Sequence, residues 1–211
     1  MKKMLTILVV ALFAMSGAVF VGIQPTDTAT VSLGSDERAM ASSDLATLEE
    51  TFQFSAPDIE STGHYVAIKT TGSTTLSRSG QPMLPYQTKT FTLPLGTEIV
   101  NVNVRPGAIQ SMYVSQKIVP APTAVATNMK AATLVQEESS VYTSTNAYPG
   151  SWGDYNIGVG RDGDNRVLFL TVQLYPAQYT PTEDMLTFTE ELQVDISYNP
   201  PAEQVSTADA H

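Results

Sequence analysis

The sequence predicts an all-β fold, an antiparallel β-sandwich with one long irregular segment between strands. Short runs rich in Val, Ile, Thr, Tyr and Phe alternate apolar with polar residues, the period of strands that bury one face. Gly or Pro bounds nearly every run, as expected where strands stop and turn. No 3.6-residue period extends beyond a turn or two, which removes the helical alternatives. Strand lengths vary and prolines interrupt them, so a sandwich fits better than a barrel, whose closure needs matched strands.

The elements follow in order. Residues 1–22 read as a signal peptide: Lys2 and Lys3 precede the apolar run Met4 to Phe13, and Ser16, Gly17 and Ala18 suit a signal peptidase. The apolar character continues through Val19, Phe20, Val21 and Ile23, about the ~20 residues that cross a bilayer, so an uncleaved N-terminal anchor is the competing reading. Residues 23–48, rich in Thr, Ser, Ala and Asp, read as a flexible lead-in, with a short helix over Ser43–Glu50. The domain proper spans 49–199. Its expected strands are Glu50–Phe54, Tyr65–Thr70, Thr74–Arg78, Thr88–Leu93, Ile99–Arg105, Ile109–Ile118, Tyr155–Val159, Arg166–Tyr175, Met185–Phe188 and Leu192–Tyr198. Val100, Val102 and Val104 alternate with Asn101, Asn103 and Arg105, giving one buried and one solvated face. Between them, Pro120 to Gly153 has no sustained alternation and exceeds the ~12 to 15 residues of an ordinary loop, which makes it the first place to seek a partner contact. Residues 200–211 read as a disordered tail.

Composition narrows the chemistry. With 11 Lys and Arg against 21 Asp and Glu the chain carries −10, which repels polyanions and argues against nucleic acid as a partner. Without Lys2 and Lys3 the balance is −12. Cysteine is absent, so a disulfide framework, a thiolate metal site, a cysteine nucleophile and a lipidated cysteine are all excluded. Of the two histidines, His64 stands at a strand entry and His211 closes the tail, and no GlySer nucleophile elbow accompanies either. Asp162, Asp164 and Asn165 in RDGDN resemble the start of a calcium loop, yet apolar residues follow at once and a type I′ hairpin turn is the favoured reading. Glu137 with Glu138 and Glu190 with Glu191 point to opposite faces of a strand and read as solvated charge. These residues support no catalytic site and call for no cofactor.

The stretch GQPMLP, Gly80 to Pro85, leading through a strand into TLPLG at Thr92 to Gly96, resembles the propeptide domain of gingipain-type, family C25, cysteine peptidases. Further matches follow in order: Pro120 to Pro122, Tyr148 with Pro149, Gly160 with Arg161, LYPAQYTP from Leu174 to Pro181, and a final strand LQVDISY from Leu192 to Tyr198. The resemblance spans about Glu50 to Tyr198 and implies a non-catalytic β-sandwich whose partner is a cysteine peptidase of caspase-like fold, in trans or lost in cis. The sequence departs from the pattern in ending soon after Tyr198, where a precursor would continue into a peptidase. The expected function is therefore an exported prodomain-like protein, secreted or at the cell surface, that binds and inhibits such a peptidase or assists its folding. The alternative is a structural or adhesive cell-surface module. Because the resemblance implies that a basic side chain is presented to the peptidase, Lys130, alone among basic residues between Pro120 and Gly153, is the expected inhibitory contact, with Lys117 on a strand as second choice.

Overall fold

The computed structural model describes residues 45–123 and 136–201. Twelve strands and two short 3-10 turns make up the regular structure of these residues. The strands are β1 (Ala46–Gln53), β2 (Asp58–Thr62), β3 (Tyr65–Lys69), β4 (Thr74–Thr75), β5 (Pro85–Pro94), β6 (Glu98–Pro106), β7 (Ile109–Tyr113), β8 (Gly153–Asp162), β9 (Asn165–Leu174), β10 (Ala177–Thr180), β11 (Met185–Thr189) and β12 (Glu191–Asn199). All pairings between them are antiparallel, in sheets of order β1-β12-β6, β4-β5-β9-β8, β10-β11-β7 and β2-β3.

Alternation builds the sandwich. Phe91 and Leu93 of β5, with Leu168, Leu170, Val172 and Leu174 of β9, face Phe52 of β1 and Leu192, Val194 and Ile196 of β12 in one cluster. Side chains two residues apart on one strand share a face, so each strand supplies this layer at every second position. A second cluster joins Val66 and Ile68 of β3, Leu84, Val114, Ile118 and Tyr142 to Ala177 and Tyr179 of β10 and Leu186 and Phe188 of β11.

The structure corrects several local expectations. The helix expected over Ser43–Glu50 gives way to strand in its described part, since Ala46 onward belongs to β1. Its period of two was masked because Glu50 occupies an inward position, where it meets Lys89 of β5 at 2.5 Å. Lys89 also lies over the rings of Phe52 and Phe91, sealing the β1–β5 flank with one cation. The expected strand Ile109–Ile118 stops at Tyr113, and Ile118 rejoins the fold by a parallel bridge to Val66. Strands β2 and β10 carry too few alternating residues to be foreseen. On β6 Val102 and Val104 face inward as expected, but Val100 does not: the register to β12 shifts there, Asn101 pairing with Ser197 and Ile99 with Tyr198, so Val100 is the extra residue, 54% exposed, and Ile99 packs on the core in its place.

Prolines and glycines around β5 have distinct tasks. Gln81 N–H donates to Arg78 C=O at 2.9 Å across a turn with Gly80 at φ +71°, the type II pattern that needs glycine third. Thr97 N–H donates to Pro94 C=O at 3.2 Å across a second such turn, with Gly96 at φ +90°. The second turn carries the chain from the β5 sheet to the β6 sheet.

Candidate functional site

The long segment after Val119 leaves and rejoins the fold on one small platform. Its incoming stem is laid against the Gly80 turn by three backbone bonds: Met83 N–H to Val119 C=O at 3.0 Å, Ala121 N–H to Gln81 C=O at 2.9 Å, and Gly80 N–H to Ala121 C=O at 2.8 Å. The outgoing stem returns to the same glycine, where Ser139 N–H donates to Gly80 C=O at 2.8 Å. Gly80 therefore uses its donor on one stem and its acceptor on the other. A Cβ here would stand 3.0 Å from Glu137 O and 3.2 Å from Ser139 Cβ, so the close approach as well as the positive φ requires glycine.

Side chains lock the stems below that point. Tyr142, buried in the 3-10 turn Ser140–Thr143, donates its hydroxyl to Ile118 C=O at 2.6 Å. Burial, with Glu138 nearby, pushes the Tyr142 phenol well above its ordinary value, so it stays protonated and keeps donating. Lys117 Nζ lies 2.6 Å from Glu138 Oε2 and 5.7 Å from the centre of the Tyr142 ring. The Tyr65 hydroxyl donates to Glu138 Oε1 at 3.3 Å. Glu138 is thus a clasp between the stems rather than solvated charge. Nothing in its sequence context signalled this, because its partner Lys117 precedes it by 21 residues.

The predicted site residues fall as follows. Lys130 lies outside the described residues. Lys117 is on the incoming stem, past the end of β7 and not on a strand, and its ammonium is engaged by Glu138. Asp162 and Asn165 pair at the tip of the β8–β9 hairpin, and Asp164 follows Gly163 in its two-residue turn. Only Gly163 has positive φ there, +60°, which is the type II′ pattern and corrects the expected I′ turn. Among the described residues no three His, Asp or Glu side chains converge as a metal site would require. His64 is exposed in the β2–β3 turn beside Gly63.

The β-sandwich thus holds Ala121 and Ser139 on one glycine, and comparison with known proteins identifies its family. The Propeptide_C25 family model matches residues 30–210, and the chain belongs to that family. Two solved structures from Porphyromonas gingivalis share the fold. One, the complex of RgpB pro- and mature domains, has a TM-score of 0.56 at 18% identity, covering 78% of this chain and 86% of that chain. The other, a structure of gingipain K concerned with its zymogenic latency, has a TM-score of 0.56 at 14% identity, covering 73% of this chain and 87% of that chain. No curated protein sequence matches.

Proposed function

We propose that this protein is a non-catalytic, exported prodomain that binds a gingipain-type cysteine peptidase and holds it inactive. The observation that carries the reading is the double attachment of residues 120–139 to Gly80. A segment pinned at both stems loses less conformational entropy when a cleft takes it up, and pre-organisation of this kind is what a tight, substrate-like inhibitor needs. Family membership supports the class of partner, and so do the fold neighbours, one from a complex of RgpB pro- and mature domains and the other from a structure on the zymogenic latency of gingipain K. Lys2, Lys3 and the apolar run behind them support export, to the outside of the cell or its surface.

Lys130 is the anchor in this reading, its ammonium paired with a carboxylate in the specificity pocket. Lys117 is the weaker candidate, because reaching a pocket would cost it Glu138. The test is pull-down from culture supernatant followed by inhibition kinetics on the captured peptidase. The expected result is a stoichiometric peptidase whose inhibition weakens by about 2–5 kcal/mol in Lys130→Ala, the range for breaking a desolvated charge pair. Recovery of envelope material alone would favour an adhesive module. An unchanged inhibition constant would remove Lys130 as the anchor.

A further inference from the structure

We propose that the free edge of β8 is a docking site for an extended segment of a partner protein, taken up as a fifth strand of the β4-β5-β9-β8 sheet, apolar at alternate positions and with a carboxylate set against Arg161 and Arg166. The inference stands apart from the inhibitory reading and shares none of its residues.

Strand β8 pairs with β9 without a bulge from Gly153 to Asp162, and no described strand lies along its other edge. Its sequence, GDYNIGVGRD, carries no proline and no lysine, residues that commonly blunt such an edge. Strand β6, the edge of the facing sheet, is protected by its bulge at Val100 and by ending in Pro106. The hairpin determines which backbone groups β8 leaves free. Asp162 and Asn165 close a two-residue turn and so bond to each other, which leaves Arg161, Val159, Ile157 and Tyr155 pointing N–H and C=O away from β9. Tyr155 agrees, since its N–H donates to Asp154 Oδ1 at 2.8 Å. The groups of Ile157, Val159 and Arg161 remain for an added strand.

Those positions also carry an uncovered apolar row. Tyr155, Ile157 and Val159 stand opposite Val172, Leu170 and Leu168 of β9, which are core residues, and opposed side chains share a face. Yet they are 47%, 43% and 67% exposed, whereas their β9 partners are at most 8% exposed. The core layer therefore runs out between β9 and β8. Strand β6 meets β8 at Gly153, which Val104 approaches, and beside this contact a cleft of about 380 Å³ opens among Val102, Trp152 and Tyr155. A strand laid along β8 would set every second side chain beside the exposed row.

Charge selects the occupant. Arg161 and Arg166 oppose each other on that same inward face, and neither has a salt bridge among the described residues. Opposed like charges cost stability, and a carboxylate on the incoming strand relieves that cost. A second copy of this chain paired β8 to β8 does not supply it. Opposed residues share a face, and the inward positions of β8 are Gly153, Tyr155, Ile157, Val159 and Arg161, none of them acidic. In an antiparallel addition the acidic residue leads the incoming strand, and the apolar residues behind it at every second position meet Val159, Ile157 and Tyr155.

The test is fluorescence anisotropy of a labelled peptide amide, ETVTITV, titrated with the full-length protein beside the charge-reversed peptide KTVTITV. The expected result is saturable binding of the acidic peptide in the micromolar range, with the basic one weaker by about tenfold. The field of a chain carrying −10 would favour the opposite order, so this preference reports the arginines. Val159→Pro should abolish binding and leave the β-sheet circular dichroism intact, because the donor it removes points away from β9. Arg161→Glu, at an exposed position, should remove the preference between the peptides, and it decides the matter if the proline variant does not fold. Equal binding of both peptides, binding that persists in a folded Val159→Pro, or no binding at millimolar protein would each overturn the proposal. So would a concentration-dependent dimer in size exclusion that Val159→Pro dissolves while neither peptide binds, since a second copy would then be the occupant. None of these readouts requires a peptidase: their failure leaves the inhibitory reading standing, and failure of the inhibition kinetics leaves this one standing.

Discussion

Gly80 concentrates more of the architecture than any other single residue. Gly80→Ala is expected to cost about 1–3 kcal/mol, since the new Cβ adds a close contact with Glu137 O to a left-handed backbone. Gly63 provides the control: it has a similar φ of +64° but nothing within 4 Å of a Cβ. Urea midpoints should therefore fall further for Gly80→Ala than for Gly63→Ala, and equal shifts would show that the stems do not press on residue 80. Tyr142 sets an alkaline limit. Its folded pKa lies above the ordinary 10.0, so above that pH the unfolded chain releases a proton that the folded chain retains. This contribution is fully present below pH 10.0 and is lost as pH rises towards the folded value. Tyr179, raised for the same reason and next to Asp184, acts in the same direction. Stability measured by urea titration should decline above about pH 10, and less steeply in Tyr142→Phe. The turn at Gly80 was legible in the sequence because glycine between Ser79 and Gln81 before Pro82 has few other uses. Its partners were not, since the chain between Ala121 and Ser139 carries no local signal of returning to one point.

Strands were readable wherever apolar residues dominate one face. The run from Thr88 to Leu93 lies within β5 and that from Arg166 to Leu174 within β9, where Phe91 and Leu93, and Leu168, Leu170, Val172 and Leu174, set the inward face and outweigh the inward Lys89 of β5. In β1 the inward Glu50 breaks a shorter apolar series, and strand pairing rather than propensity decides the outcome. Close approach between elements is equally invisible to periodicity. Strands β6 and β8 are the edges of facing sheets, and a Cβ on Gly153 would stand only 2.5 Å from Val104 Cγ2 and 2.9 Å from Val104 Cβ. Gly153→Ala should therefore cost about 1–3 kcal/mol by overpacking. Adding Val104→Ala should recover part of that loss, because the two sites share one space, with a coupling of about 0.5–3 kcal/mol in a double-mutant cycle. Recovery should stay incomplete, since Gln173 O, a backbone atom, remains 3.0 Å away. Strict additivity of the two changes would mean that the sheet edges are not in contact there.

At the scale of the whole molecule, the first and last strands among the described residues are neighbours. Ala46–Gln53 pairs with β12, which also pairs with β6, so the β1-β12-β6 sheet has no centre until residues 191–199 arrive. Loop closure must be met before such distant contacts reward it, and folds dominated by them form in milliseconds to seconds. A chain truncated after Glu190 would leave Phe52, Val102 and Val104 without Leu192, Val194 and Ile196 opposite or beside them, and would expose two unpaired strand edges where the sheet's centre belongs. It is expected to lose cooperative unfolding and to associate, while the full chain refolds from urea in a phase of roughly milliseconds to seconds. Stopped-flow fluorescence of Trp152, which packs on the first cluster, reports the event directly. A cooperative transition in the truncated chain, with a midpoint near that of the full protein, would show that the sandwich does not depend on its last strand.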